Sequence, residues 1–416
     1  MSVDDVPAAS DARARDVAES VARRSYGRLV AFLAARTRDV AAAEDALSDA
    51  FASALGDWPR HGCPANPEAW LLTVARRRLI DVARRRATSD AASSEIARLM
   101  ESAEVVDAEI PDRRLALLFA CAHPAIEVGV RAPLMLQTVV GLDAKRIASA
   151  FLTSPAAMGK RLVRAKQKIR EAGIPFRIPE RAELPGRLDA VLDAVYAAFG
   201  EGWTDPGGAE VARRDLTGEA IFLARVVVEL MPEEPEALGL LACLLHAEAR
   251  RGARRDDAGD YVPFADQDVT RWDWSMIEEA ERLLWRASAM GSIGRYQLEG
   301  ALQSAHVVGR RTGQPDWPAV MRLYDVLASH TGSPVVAVNR ALAVAEVHGV
   351  PAALDALDAV AADVRLAEYQ PYWAARAELL ARTGASDAAR HAYDLAIGLE
   401  RDPAVRRFLQ RRRSVS

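Results

Sequence analysis

The chain has 416 residues, half of them apolar, 27% charged, with a net charge of −4. That length gives room for about two to four domains with real cores, the apolar content excludes a mostly disordered chain, and the slightly acidic balance excludes a general nucleic-acid coat protein. No stretch of about 18 apolar residues exists, and Met1 to Ser10 lacks a charged start and an apolar run, so neither a membrane span nor a secretory signal is expected and the setting reads as cytoplasmic. Cys63, Cys121 and Cys243 stand far apart, which fits reduced thiols, and the His61 and Cys63 neighbours have no second pair at metal-ligand spacing, so no zinc site is expected.

The spacing predicts a helix over Ala41 to Leu55, with Asp45 and Asp49 one turn apart beside Leu47 and Phe51, equally a partner-binding acidic face or ordinary helix surface. A second helix runs from Pro67 to Arg86. Its expected buried stripe is Leu71, Ala75, Leu79 and Val82, and Trp70, Val74, Arg77, Asp81 and Arg84 share the opposite face, flanked by Arg78 and Arg85. An aromatic plate beside guanidinium groups suits unstacked bases and phosphates, although Trp70 under a neighbouring helix with solvated arginines fits the same pattern.

From Ala87 to Asp112 the chain carries seven carboxylates against Arg98 alone, with several Ser and Thr and no apolar period, and it reads as a linker. Fully extended at about 3.4 Å per residue, Ala87 to Ile110 reaches about 80 Å. The balance then reverses: Arg131 to Ile178 holds ten Lys or Arg against Asp143 and Glu171.

Within that basic span, Asp143 to Ala150 predicts a short helix, Phe151 to Thr153 a turn, and Ser154 to Arg170 a longer helix started by a Ser cap and Pro155. At about 3.6 residues per turn, Met158, Leu162, Ala165 and Ile169 form one stripe, and Ala157, Lys160, Arg161, Arg164 and Lys168 lie opposite it. Two helices at that spacing resemble a helix-turn-helix whose second member faces an anion, which makes nucleic acid the first reading and a solvated basic helix the second.

Further helix pairs are expected at Leu216 to Arg251, broken by Pro232 and Pro235, and at Ser275 to Thr312, with a carboxylate-rich loop from Phe264 to Trp272 between them. Asp266 and Asp268 in that loop suit a ligand or partner, or merely capping and packing. At an offset of 36, Ala337 aligns with Trp373, Ala341 with Ala377, Val344 with Leu380, Ala353 with Ala389, Leu357 with Tyr393 and Val360 with Ala396. Gly349 and Gly384 fall in the turns, and the period is close to that of a tetratricopeptide repeat.

The runs EDALSDAFASAL and WLLTVARRRLIDVARRR, the acidic linker, and LMLQTVVGLDAKRIASAFLTSPAAMGKRLVRAKQKIR, in this order, resemble regions 2 and 4 of an extracytoplasmic-function sigma factor over roughly Arg13 to Pro179. The remainder resembles the long helical, tetratricopeptide-like extension of one sigma subgroup. The resemblance implies that Glu44, Asp45, Leu47, Asp49 and Phe51 dock on the clamp helices of the polymerase beta-prime subunit. It implies that Trp70, Arg77, Asp81, Arg84 and Arg85 recognise and open the minus-10 element, and that Ala157, Lys160, Arg161, Arg164 and Lys168 read the minus-35 major groove. The family often has Asn where Arg77 stands and Glu where Arg146 stands.

The expected molecule is therefore all-α: two small helical sigma domains, 13–87 and 111–178, joined by the linker 88–110 and followed by a tetratricopeptide-like helical extension, 185–416. Core RNA polymerase and promoter DNA are the implied partners, with a further protein or peptide partner open for the extension, and no membrane. No Walker loop, paired Cys or His motif or nucleophile elbow occurs, so no cofactor and no enzymatic activity are expected. A helix-turn-helix regulator outside the polymerase and a helical repeat scaffold are the alternatives; the Trp70 helix favours the sigma factor, because a duplex reader has little use for a strand-opening face.

Overall fold

A computed structural model describes residues 5–87, 112–151, 153–203 and 211–416. The elements among them are helical, with one isolated antiparallel bridge between Arg255 and Tyr261. The expected linker at 88–110 lies outside the described residues. The chain divides into two compact units, Met1–Ala198 and Phe199–Ser416. The division falls inside one helix, Pro185–Trp203, downstream of the expected break between 178 and 185.

In the first unit, helix α1 (Asp5–Thr37) ends where Arg38 takes a left-handed φ of 54°, and Asp39 then starts α2 (Val40–His61) by accepting the Ala42 N–H at 3.0 Å. Helix α3 (Pro67–Ala87) packs on both, anchored at its first turn where Glu68 accepts from Ser25 and pairs with Arg28. Leu29, Leu33, Leu47, Trp58, Leu71 and Leu72 are buried in this part. Each such side chain contributes about 1.5 to 3 kcal/mol relative to leaving it in water.

The expected stripe on α3 holds at Leu71, Ala75 and Leu79, but Val82 is 37% exposed and Leu72 is buried instead. Packing runs out before the last turns of α3, so periodicity alone overextends the core face.

The unit continues through α4 (Arg114–Cys121), α5 (Val128–Thr138), α6 (Ala144–Ala150), α7 (Pro155–Glu171) and the first part of α8 (Pro185–Trp203). Leu117, Phe119, Leu134, Leu136, Ile147 and the apolar face of α7 are buried together here. Both parts of the unit meet closely: a Cβ on Gly27 of α1 would stand 1.7 Å from the Val139 carbonyl oxygen, so only glycine permits the approach. The spans 13–87 and 111–178 thus lie packed in a single unit.

The second unit is a chain of helices, each packed chiefly on those one or two along: α9 (Val211–Leu230), α10 (Pro235–Glu248), α11 (Trp274–Ser288), α12 (Arg295–Thr312), α13 (Trp317–Thr331), α14 (Pro334–His348), α15 (Val350–Asp358), α16 (Gln370–Arg382), α17 (Ser386–Leu399) and α18 (Pro403–Ser414). Proline opens α10, α13, α14, α15, α16 and α18, where its missing N–H would be unpaired anyway. Of the residues aligned 36 apart in α14 with α15 and α16 with α17, Ala341 and Ala377, Ala353 and Ala389, and Leu357 and Tyr393 are buried, whereas buried Val344 and Ala396 have the half-buried counterparts Leu380 and Val360. Gly349 and Gly384 take positive φ of 89° and 77° in the turns.

Candidate nucleic-acid interface

Helix α7 is built as its sequence demands. The Ser154 hydroxyl accepts the Ala157 N–H at 3.3 Å, Pro155 is the first helical residue, and Met158, Leu162, Ala165 and Ile169 are all buried. Ala157, Lys160, Arg164 and Lys168 are exposed, and half-buried Arg161 pairs with Glu127 at 3.0 Å. Among the described residues no carboxylate is paired with Lys160, Arg164 or Lys168. Ahead of α7, Asp143 accepts the Lys145 and Arg146 N–H groups and starts α6, and Thr153 N–H returns to the Ala148 carbonyl at 2.9 Å, which closes the turn between the two helices. The result is an apolar underside and a convex cationic outer face, suited to phosphates and base edges.

On α3, Arg77, Arg78, Asp81 and Arg84 are exposed. Trp70 is half-buried, its ring edge-on to buried Trp58 with centroids 5.5 Å apart. Part of its surface is therefore taken by packing, and only the remainder is offered to a base. The Arg85 side chain lies outside the described residues.

The acidic face of α2 is only partly accessible. Asp45 and Asp49 are exposed and Phe51 is half-buried, but Leu47 is fully buried in the core and Glu44 is 9% exposed. Glu44 forms an ion pair with Lys166 of α7, and Arg170 stands 3.6 Å from Asp39, so α7 is clamped onto α2. Burial pushes the Glu44 carboxyl up from its ordinary range, and Lys166 partly offsets this. Tyr26, packed against Gly141, is also pushed up by its burial, with Glu44 and Asp45 adding to the effect.

Lys166, Arg170 and Gly27 were not singled out by sequence reasoning. For Lys166 a signal existed, since it follows buried Leu162 by one turn and so borders the apolar stripe; its partner, 122 residues away, had none.

Among the described residues no group of His, Cys, Asp and Glu is arranged to hold a metal ion, and no helix is long and apolar enough to cross a membrane. Comparison with known proteins adds the decisive observation: Sigma-70 region 2 matches residues 21–88, the span of most of α1 with α2 and α3. Residues 21–88 form a sigma-70 region 2 domain, which supports a place in the sigma-70 family. A family of unknown function (DUF6596) matches residues 187–288, from α8 to the end of α11. It is 38% identical over 371 residues to an uncharacterised protein of Rhizobium meliloti (strain 1021), with 87% of each chain covered. No solved structure matches. The region 2 match contains the acidic face of α2 and the Trp70 face of α3, while the basic face of α7 lies beyond it.

Proposed function

We propose that the chain is an extracytoplasmic-function sigma factor, a cytoplasmic, non-enzymatic subunit that binds core RNA polymerase and directs promoter-specific initiation. The observation that supports this most is the complete separation on α7 of a buried apolar stripe from an exposed cationic face, in a chain whose residues 21–88 match Sigma-70 region 2. In this reading span 111–178 acts as region 4, and Ala157, Lys160, Arg161, Arg164 and Lys168 read the minus-35 element, where a bidentate Arg contact is worth about 1 to 3 kcal/mol. Trp70, Arg77, Asp81, Arg84 and Arg85 hold the opened minus-10 element. The helical extension 185–416 serves as a tetratricopeptide-like regulatory or assembly module, a reading supported by the 36-residue recurrence.

Polymerase docking then rests on Asp45, Asp49 and Phe51, with Leu47 supporting them from the core, and Glu44 joins only when Lys166 releases it. Asp45→Arg combined with Asp49→Arg is expected to abolish capture by core polymerase while changing fold stability by no more than about 0.5 kcal/mol. Undiminished capture by the folded double variant would instead support a DNA-binding regulator that acts outside the polymerase.

A further inference from the structure

In the second unit the run Arg250, Arg251, Arg254, Arg255 divides into two kinds of cation. Arg251 pairs with Glu248 at 2.7 Å and Arg255 with Asp402 at 2.6 Å. Arg250 and Arg254 are bonded only to neutral acceptors: Arg250 donates to the His246 carbonyl at 3.1 Å and to the Gln303 side-chain oxygen at 2.6 Å, and Arg254 donates to the Trp203 carbonyl at 2.8 Å. Among the described residues neither has a carboxylate partner. Both are half-buried, and each lies over an aromatic plate, Arg250 Cζ 4.8 Å from the Phe264 ring centroid and Arg254 Cζ 4.3 Å from that of Trp203, a ring that Arg251 also approaches at 5.1 Å.

A cation withdrawn from water without a counter-charge is costly, and chains ordinarily pair it. Here Glu248 and Asp402 pair directly with the outer arginines, while Arg250 and Arg254 have no carboxylate of their own, Asp402 acting on Arg254 without a direct ion pair. Burial pulls the Arg250 guanidinium down to about 10 and lowers Arg254 as well, yet both stay charged at neutral pH. The neighbouring imidazoles add no charge: His246 and His306 are pulled down to about 4 by burial and by Arg250, so both are neutral at pH 7. Fully buried His246 leaves its Nδ1 without a hydrogen-bond partner, its Nε2 standing 3.4 Å from Glu281. Two guanidiniums four residues apart, held by neutral acceptors and against rings, offer the fixed N–H donors that recognition of an oxyanion uses.

We propose that Arg250 and Arg254 form a binding site in the second unit for a small oxyanion ligand, a carboxylate or a phosphate. Half-buried guanidiniums held against ring faces favour a small group that enters the site over a broad acidic surface laid across it. The exposed carboxylates of the neighbouring loop, Asp266 and Asp268, are not part of it; Asp268 caps its own turn through Thr270.

The test is thermal unfolding and titration calorimetry of the full chain with sodium phosphate and, separately, sodium succinate, at ionic strength held constant with sodium chloride. A saturable rise in the unfolding temperature of at least about 3 °C with one anion, together with a measurable binding heat, is expected. Phosphate alone identifies a phosphoryl ligand, and succinate alone a carboxylate. Arg254→Gln and Arg250→Gln should each weaken binding at least about tenfold, whereas Arg251→Gln, whose cation is already paired, should bind as wild type. Should either inner variant fail to fold, the wild-type binding heats decide alone. Equal shifts with phosphate, succinate and chloride, or undiminished binding by both folded inner variants, would overturn the proposal.

Discussion

The two units use cationic side chains in opposite ways. On α7 of the first unit, Lys160, Arg164 and Lys168 face outward with no paired carboxylate among the described residues, above an apolar face that is buried without exception. In the second unit the arginines mostly cross-link the fold: Arg340 to Asp325, Arg376 to Asp358, Arg382 to Glu346, Arg407 and Arg411 to Asp260, and Arg412 to Glu378. Internally paired charge contributes geometry and little net attraction for outside molecules, whereas outward unpaired charge of one sign attracts a polyanion over a Debye length. The net charge of −4 therefore conceals a local cationic surface and a largely neutralised helical extension.

The strongest way to break the comparison is through the cores. Tyr393 fills the space between α16 and α17 and donates its hydroxyl to Glu378 at 3.0 Å, so Tyr393→Ala should destabilise the second unit by about 3 to 5 kcal/mol in denaturant unfolding. Tyr393→Phe should cost only about 1 kcal/mol, since Glu378 keeps Arg412. Equal losses for both would mean that the hydroxyl, and not the packed ring, holds the repeat.

In the first unit the corresponding weak point is the clamp between α2 and α7. Lys166→Ala leaves Glu44 buried and unpaired and should cost about 3 kcal/mol, and Glu44→Gln placed with Lys166→Met should recover most of that loss. No recovery in the double variant would show that the lysine stem, and not its charge, matters.

How far all this was legible in the sequence follows from what helical periodicity encodes. Met158, Leu162, Ala165 and Ile169 were readable because a period of about 3.6 marks the core side of one helix whatever it packs on, and Ser154 with Pro155 fixes where that helix begins. The recurrence from Ala341 to Ala377 was readable because crossings demand small residues at fixed intervals. The pairing of Glu44 with Lys166, the approach of Gly27 to Val139 and the burial of Glu44 and Leu47 on an expected docking face were not readable. They depend on which helices meet, and no single helix's pattern carries that. Val82 failed for a related reason, since periodicity continues past the end of the packing.

A further effect depends on pH. His306 is held near 4, below its ordinary 6.5, so the unfolded chain takes up the proton first as pH falls. Its contribution is present in full above about pH 6.5 and is lost between there and pH 4, by up to about 3 kcal/mol. His246 is held near 4 in the same way, so His306→Phe should reduce this acid limb of the second unit without abolishing it in unfolding experiments between pH 4 and 7. An unchanged limb would assign the acid sensitivity to other groups.

The smallest expected stability effect belongs to the α7 surface. Lys160→Ala and Arg164→Ala should each shift unfolding by less than about 0.5 kcal/mol yet lower the slope of log affinity for promoter DNA against log salt by about 1. A slope left unchanged by both would remove this face from the DNA interface.

The central claim is tested most directly by run-off transcription of genomic DNA fragments with purified core RNA polymerase and the full chain, sequencing the transcript starts. The account predicts a discrete set of starts that requires the chain and is lost with Arg164→Ala combined with Lys168→Ala, while capture by core polymerase persists. Identical starts with and without the chain, or the same promoter set from the double variant, would contradict it.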